Sequence, residues 1–130
     1  MIRIAVDAMG GDHAPRSIID GALAAARHLD LGLVLAGPAG VIRGELARHP
    51  DADELSIRVL DAPEVITMAE APAAALRRKP RASIRLAAES VASGDAAALG
   101  SAGHTGATVL AAHGAFGMLP GVDRPAPRPW

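Results

Sequence analysis

Two glycine-rich segments constrain the fold of this chain more than any other feature. One has the sequence DAMGGD at residues 7–12, and the other has the sequence SAGHTGA at residues 101–107. Each follows a short apolar run and precedes apolar residues at helical spacing. A strand, a glycine turn and a helix N-terminus together expose backbone N–H groups that attract anions. In an α/β unit, two such turns open at the same edge of the sheet, where this class of fold binds ligands.

Four short apolar runs predict buried strands, and helical patterns separate them. The predicted strands cover residues 2–6, 31–36, 56–60 and 96–100. A continuous apolar run such as 31–36 is typical of a strand that is buried on both faces. Strands that alternate with helices predict a parallel sheet with right-handed crossovers. The expected fold class is therefore α/β, with a Rossmann-like parallel sheet and flanking helices in three layers (αβα).

Helical spacing of apolar residues predicts the elements between the strands. The first predicted helix begins at Pro15, and the others cover residues 41–48, 83–93 and 105–118. Pro15 suits the first position of its helix, Gly94 suits a C-terminal cap, and the Thr105 hydroxyl suits an N-terminal cap. The apolar face of the first helix consists of Ile18, Ile19, Ala22, Leu23 and Ala26. Residues 61–80, which include three prolines, are predicted to be irregular.

Composition excludes several classes of protein. A chain of 130 residues with 50% hydrophobic and 21% charged residues indicates one globular domain rather than a disordered segment. The absence of cysteine excludes a disulfide scaffold, thiolate metal sites and a cysteine nucleophile, and is compatible with the cytoplasm. A net charge of −1 argues against a nucleic-acid partner. The histidines lack metal-ligand spacing, so we expect no metal site. We expect no cofactor either.

Two stretches bear on targeting and on the domain boundary. The first residues reach Asp7 too early for a secretory signal peptide. Residues 96–122 lack Asp, Glu, Lys and Arg and are long enough to span a bilayer, but their six glycines favour a strand, a turn and a small-residue helix. Residues 119–130 contain four prolines and the only tryptophan. We expect a Pro-rich tail there, at a truncated edge, following a domain that covers residues 1–118.

Taken alone, these motifs do not identify a ligand. A tight strand-to-helix turn, in which Asp12 accepts hydrogen bonds from helix N–H groups, is the simpler interpretation of the first glycine segment. Neither segment has the G-x-G-x-x-G pattern of dinucleotide-binding turns or the Gly-Lys-Ser/Thr of a Walker A loop. Charge alone also favours a solvated face for the basic cluster Arg77, Arg78, Lys79, Arg81 and Arg85.

Four segments together resemble the phosphate:acyl-acyl carrier protein acyltransferase family, known as PlsX. They are DAMGGDHAP at residues 7–15, MAEAP at 68–72 followed by ALRRK at 75–79 and by Ser83, SAGHTGA at 101–107, and DRPA at 123–126. These matches occur in the family's order and span nearly the whole chain. Family members are more than twice as long, and the resemblance stops after Ala126. The chain is therefore expected to be the N-terminal part of a single acyltransferase domain.

The resemblance implies the transfer of a fatty acyl group from acyl carrier protein to inorganic phosphate, which forms acyl phosphate for phospholipid synthesis. Phosphate is the nucleophile, so the protein supplies positioning, positive charge and donors for the oxyanion. The implied catalytic residues are Lys79, Arg77 and His104, and His104 stands where the family usually has Asn. The implied phosphate- and substrate-binding residues are Asp7, Gly10, Gly11, Asp12, Ser101, Gly103, Thr105 and Gly106.

The resemblance also implies the partners and the location. The partners are acyl carrier protein and inorganic phosphate, with a homodimer for the full-length family and peripheral association with a membrane acyltransferase at the inner face of the membrane. Two alternatives remain open. One is a non-catalytic remnant, since a chain this short is expected to be inactive alone. The other is a nucleotide-binding Rossmann oxidoreductase. This sequence lacks the turn that such an enzyme needs and the acidic residue about 20 positions after it.

Overall fold

A computed structural model of the chain describes residues 1–67 and 69–101. Strands and helices alternate along most of this part. The strands are β1 (Ile2–Asp7), β2 (Leu31–Gly37), β3 (Ile57–Asp61) and β4 (Ala98–Gly100). The helices are α1 (Arg16–His28), α2 (Ala39–Leu46), α3 (Pro72–Arg78) and α4 (Ser83–Ala92), and a 3₁₀ turn covers Ala52–Glu54.

The described strands form one sheet in which all neighbours are parallel. Their order is β3-β2-β1-β4, so the chain moves outward from β1 to β3 and then returns to the far side of β1. Ile4 pairs with Leu33 of β2 on one side and with Ala98 of β4 on the other. The order reverses between β1 and β4, which makes this gap the topological switch point of a doubly wound sheet.

Helices cover both faces of the sheet. On one face, Leu35 of β2 packs in a cluster with Leu23 of α1 and Ile42 of α2. On the opposite face, Val34 packs in a second cluster with Ala87 of α4. Successive strand residues point to opposite faces, so β2 is buried on both sides, as its continuous apolar run predicts. The expected parallel sheet between two helical layers is confirmed.

The long helices bury the faces that the sequence predicts. In α1, Ile19 and Leu23 are fully buried and Ala26 is nearly so, at the spacing of one helical stripe. In α4, the buried residues include Ile84, Ala87 and Ala88. Gly94 follows the end of α4 with a φ of 89°, a conformation that glycine adopts without strain and that commonly terminates helices.

The structure corrects the expected elements in three places. Residues 61–80 are not irregular throughout, because α3 lies within them and begins at Pro72. Proline is tolerated in the first turn of a helix, where its missing N–H would have no helical partner. Pro15 occupies the cap of α1 rather than its first position. The helix predicted over 41–48 covers Ala39–Leu46 instead.

Other predictions fall on residues that the structure does not describe. The helix predicted over 105–118 and the tail predicted over 119–130 both lie outside residues 1–67 and 69–101. The division of the chain at residue 118 therefore stays a prediction. Among the described residues, none of the helices is long and apolar enough to cross a membrane.

Candidate functional site

The candidate site lies where β1 and β4 end side by side. Val6 of β1 pairs with Gly100 of β4, so the first glycine segment leaves the sheet next to Ser101. Both segments therefore start at the carboxyl edge, at the switch point where open α/β sheets bind ligands. The predicted site residues Gly103, His104, Thr105 and Gly106 lie outside the described part of the chain.

The segment from Asp7 to Asp12, which we call the glycine loop, makes a tight turn at this edge. The Ala8 N–H donates to the Ala36 carbonyl of β2 at 2.9 Å, and the Gly10 N–H donates back to the Asp7 carbonyl at 3.3 Å. Gly11 then adopts a φ of 95°, which a residue with a Cβ would rarely adopt. This glycine reverses the chain and directs it toward α1.

Three consecutive N–H groups are available at the exposed tip of the glycine loop. Gly11, Asp12 and His13 are all exposed. Their backbone N–H groups find no acceptor within the described residues. Adjacent N–H groups that precede a helix N-terminus can donate together to a phosphate oxygen. The tip therefore has the donors that an anion site requires.

The Asp12 side chain does not cap the helix that follows. The N-cap of α1 is Pro15, and no side chain forms a capping hydrogen bond there. The simpler interpretation of the first segment is therefore correct in its tight turn and wrong in the capping role that it gave to Asp12. Predicted roles for Asp12 and Gly10 in phosphate binding stay predictions.

A buried hydrogen bond fixes the start of the glycine loop. Asp7 Oδ1 accepts a hydrogen bond from the Ser83 hydroxyl at 2.6 Å and another from the Met9 N–H at 3.1 Å. Asp7 is 5% exposed and Ser83, the first residue of α4, is 1% exposed. Burial raises the pKa of Asp7 above its ordinary value, although the hydrogen bonds from Ser83 and Met9 act in the opposite direction. The carboxylate thus joins the loop to the first turn of α4.

This geometry supports a positioning role for Asp7. An ionised carboxylate only accepts hydrogen bonds and repels a phosphate, so Asp7 is poorly suited to contact the anion directly. Its bond to the Met9 N–H holds the base of the loop, while the unpaired N–H groups belong to the exposed residues at the tip. Its place among the phosphate-binding residues stays a prediction.

Lys79 holds a neighbouring segment in place. Its Nζ donates to the Val65 carbonyl and to Glu70 Oε1, both at 2.6 Å. The other oxygen of Glu70 accepts from the Thr67 N–H at 2.9 Å. The Lys79 hydrogen bond is the main cause of the lowered pKa of Glu70, and the Thr67 hydrogen bond adds to it. The predicted catalytic lysine is therefore already in an ion pair.

The other cations of the basic cluster differ in their partners. Arg81 lies 3.7 Å from Asp61, and Arg85 lies 3.3 Å from Glu89. Arg77 and Arg78 are exposed at the end of α3 and form no ion pair within the described residues. Of the two cations predicted to act in catalysis, Arg77 is the available one.

Sequence reasoning missed two partners at this edge. Ser83 was expected only as part of a family segment, and Glu70 was not expected to hold Lys79. A hydroxyl at the start of a predicted helix was the one signal for Ser83.

Among the described residues, no group of three or more His, Asp or Glu side chains could hold a metal.

The fold and this edge define a class of protein: an open, doubly wound α/β domain with a candidate anion loop at its switch point. Its sequence also matches the profile of a known family, described as fatty acid synthesis protein, over residues 2–128. The chain belongs to that family. The resemblance drawn from the four sequence segments is confirmed.

Several curated relatives are similar to this chain, and each is named phosphate acyltransferase. One from Stutzerimonas stutzeri is 47% identical over 124 residues, which are 95% of this chain and 35% of the relative. One from Pelotomaculum thermopropionicum is 49% identical over 96% of this chain and 36% of the relative. One from Anaeromyxobacter sp. (strain K) is 51% identical over 95% of this chain and 34% of the relative. The chain spans about a third of the length of the relatives it matches.

Proposed function

We propose that this chain is the N-terminal part of a phosphate acyltransferase. The reaction moves a fatty acyl group from the thioester of acyl carrier protein to inorganic phosphate and yields acyl phosphate. The observation that carries the proposal is the glycine loop at the switch point, with the free N–H groups of Gly11, Asp12 and His13 at its exposed tip. Membership in a family with relatives named phosphate acyltransferase supplies the reaction type.

The chemistry requires little from the protein beyond placement and charge. A phosphate oxygen attacks the thioester carbonyl carbon, the new C–O bond forms, the C–S bond breaks, and the carrier thiolate leaves and takes up a proton. Phosphate is already nucleophilic near neutral pH, so a protein nucleophile is not needed. The loop N–H groups would hold phosphate, and Arg77 would balance its charge. The second glycine segment, which contains His104, would supply hydrogen-bond donors to the carbonyl oxygen.

Lys79 and Arg77 take different parts in this proposal. Lys79 is bound by Glu70 and by the Val65 carbonyl, so its first effect is to hold these two residues together. Arg77 has no such partner in the described part of the chain and can turn toward an anion. We therefore assign the phosphate contact to Arg77 and keep Lys79 as the residue that shapes the adjoining segment.

The proposal extends to partners and location. Acyl carrier protein and inorganic phosphate are its substrates, and no cofactor takes part. The complete protein would be a homodimer in the cytoplasm, peripherally associated with a membrane acyltransferase at the inner face of the membrane. No nucleic acid is involved.

The oxidoreductase alternative has little support at this edge. Dinucleotide-binding folds place an acidic residue at the end of the second strand, where it contacts the ribose. Here β2 ends at Gly37, and Pro38 follows it. Neither side chain can accept a hydrogen bond from a ribose hydroxyl.

A chimaera tests the proposed reaction directly. These 130 residues would replace the matching 124-residue region of the Stutzerimonas stutzeri relative, and acyl phosphate would be measured from acyl-acyl carrier protein and phosphate. We expect turnover by the chimaera and a loss of roughly tenfold or more in kcat/KM with Arg77→Ala, since a charge-assisted contact to the anion is removed. Arg43→Ala is the matched control, because Arg43 is exposed on α2. A folded but inactive chimaera would refute the proposal.

The same assay tests the remnant alternative. The 130-residue chain alone is expected to give little or no acyl phosphate, because the contributions of parts of one active site are strongly non-additive. Turnover by the chain alone at the rate of a complete relative would contradict that expectation.

A further inference from the structure

We propose that Ser83 is a positioning residue for phosphate: through Asp7, its hydroxyl holds the glycine loop in the conformation that presents the N–H groups of Gly11, Asp12 and His13. The inference rests on the proposed function, since it concerns how that site is shaped. Nothing in the sequence pattern requires it, because the two side chains are 76 positions apart.

The bond between Ser83 and Asp7 is protected from water. Both residues are almost fully buried, and the hydroxyl donates to the carboxylate at 2.6 Å. A hydrogen bond to a charged acceptor in such a place is stronger than a neutral one, and water cannot replace the donor once it is removed. The carboxylate therefore depends on Ser83 to stay where it is.

One carboxylate oxygen carries the whole connection. Asp7 Oδ1 accepts from both Ser83 and Met9, whereas Oδ2 has no donor within the described residues. Asp7 also begins the turn that follows, in which its carbonyl accepts a hydrogen bond from the Gly10 N–H. If the hydroxyl is lost, the carboxylate retains only Met9, and the side chain can rotate and release the loop.

Ser83 is itself held firmly on its other side. Its N–H donates to the Glu64 carbonyl at 2.9 Å, and the Glu64 N–H donates to the Arg81 carbonyl at 3.3 Å. The Glu64 carboxylate also accepts from the Arg81 N–H at 2.9 Å. The Ala82 N–H then donates to the Lys79 carbonyl at 3.1 Å. These bonds tie Ser83 to the segment that carries the basic cluster, so Ser83 links the N–H donors to the cations.

Ser90 provides a matched control within the same helix. It is also buried, with 7% of its surface exposed, and its hydroxyl donates to the Ala87 carbonyl at 2.7 Å. Replacement of Ser90 by Ala removes an equivalent buried hydroxyl without touching the glycine loop. A general loss of stability affects both variants, whereas a change at the loop affects only one.

The test uses the ¹⁵N-labelled 130-residue chain and inorganic phosphate. We expect Ser83→Ala to shift the amide resonances of Met9, Gly10 and Gly11 and to weaken phosphate binding about tenfold, the effect of one lost hydrogen bond to a charged group. Ser83→Thr keeps the hydroxyl and is expected to restore both properties. Ser90→Ala is expected to change neither.

The outcomes separate this inference from the proposed function. If the wild-type chain shows no phosphate response, the proposed function fails, and the Met9, Gly10 and Gly11 resonances still decide whether Ser83 positions the loop. Unchanged loop resonances in Ser83→Ala, or equal changes in Ser90→Ala, overturn the inference. If Ser83→Ala does not fold, amide exchange in the wild type decides: the Met9 N–H should exchange much more slowly than those of Gly11 and Asp12, and equal rates overturn it.

Discussion

Two polar clusters of this domain differ in their number of side chains and in their burial. At the carboxyl edge, a single buried pair, Asp7 and Ser83, holds the glycine loop. On the outside of α1 and α2, a network of seven charged or polar side chains connects α1 to the end of α2 and to the loop that follows it. We call it the surface network, and its members are Arg16, Asp20, Arg27, Glu45, Arg48, His49 and Asp51.

The surface network has many short contacts, and most of its side chains are open to solvent; only those of Glu45 and His49 are largely covered, at 16% and 14% exposed. Arg27 lies 2.6 Å from Asp51, and His49 lies 2.7 Å from Asp20. A hydrogen bond from His49 is the main cause of the lowered pKa of Asp20, and one from Arg27 lowers the pKa of Asp51. Exposed ion pairs contribute little, because water and salt compete for each charge. We infer that burial, and not the number of charges, decides which cluster contributes more to the free energy of unfolding.

The largest expected effect concerns the buried pair. Ser83→Ala should lower the free energy of unfolding by about 2 kcal/mol, because it leaves a buried charged acceptor with one donor fewer. Addition of 1 M NaCl should not change that difference, since salt does not reach the pair. Denaturant unfolding of the wild type and the variant measures both quantities. A difference that disappears in salt would place this pair in the same category as the surface network.

The two clusters should respond to pH with opposite signs. The folded pKa of Asp7 is raised by burial, so its favourable contribution is fully present below its unfolded pKa and is lost as pH rises through the folded value. The pKa values of Asp20, Glu45 and Asp51 are lowered, so their contributions are present above the unfolded pKa and are lost as pH falls.

Asp7→Asn isolates the first of these contributions. The amide retains an oxygen that can accept from Ser83 and Met9, but it has no charge to bury. The free energy of unfolding of Asp7→Asn, relative to the wild type, should therefore rise with pH through the range in which Asp7 ionises. Denaturant unfolding at a series of pH values from acid to neutral checks the trend. A relative stability that falls with rising pH would show that Asp7 is stabilised by ionisation.

Lys79 and Glu70 provide an intermediate case. Their side chains are 26% and 22% exposed, which is more than the buried pair and less than most side chains of the surface network. Lys79→Met should speed exchange of the Thr67 amide several-fold, because Glu70 then loses its main partner and releases the bond to Thr67. Arg77→Met is the matched control and should leave that amide unchanged. Equal exchange in the two variants would mean that Lys79 does not order this segment.

The smallest effect is expected in the surface network. Arg27→Ala removes the contacts to Asp51 and His49, and it should destabilise the chain by only a small fraction of the Ser83→Ala effect. High salt should erase most of that difference. Arg43→Ala, on the exposed side of α2, should have no effect at either salt concentration. A loss as large as that of Ser83→Ala would overturn the comparison.

The fold could be predicted from sequence where burial leaves a pattern. The apolar run at 31–36 identified β2, because a strand covered on both faces has no polar side to interrupt the run. α3 was missed because Pro72 suggested a break, and its one buried residue, Ala75, provides no apolar stripe. Proline at the start of a helix is a local exception that periodicity does not detect.

The site could be predicted only in part. The glycine loop was placed correctly at the carboxyl edge, because strand, turn and helix follow one another in the sequence. The hydrogen bond that supports it could not be predicted, since Asp7 and Ser83 are 76 positions apart and only the tertiary structure brings them together. The pairing of Lys79 with Glu70 also depends on the tertiary structure, because nine positions separate the two residues.

Phosphate titration of the ¹⁵N-labelled wild-type chain tests the central claim most directly, namely that the carboxyl edge and not the surface network is the anion site. The account predicts that the amides of Gly11, Asp12 and His13 shift first and furthest, while those of His49 and Asp51 in the surface network stay in place. The largest shifts at His49 and Asp51, with the glycine loop unchanged, would contradict it.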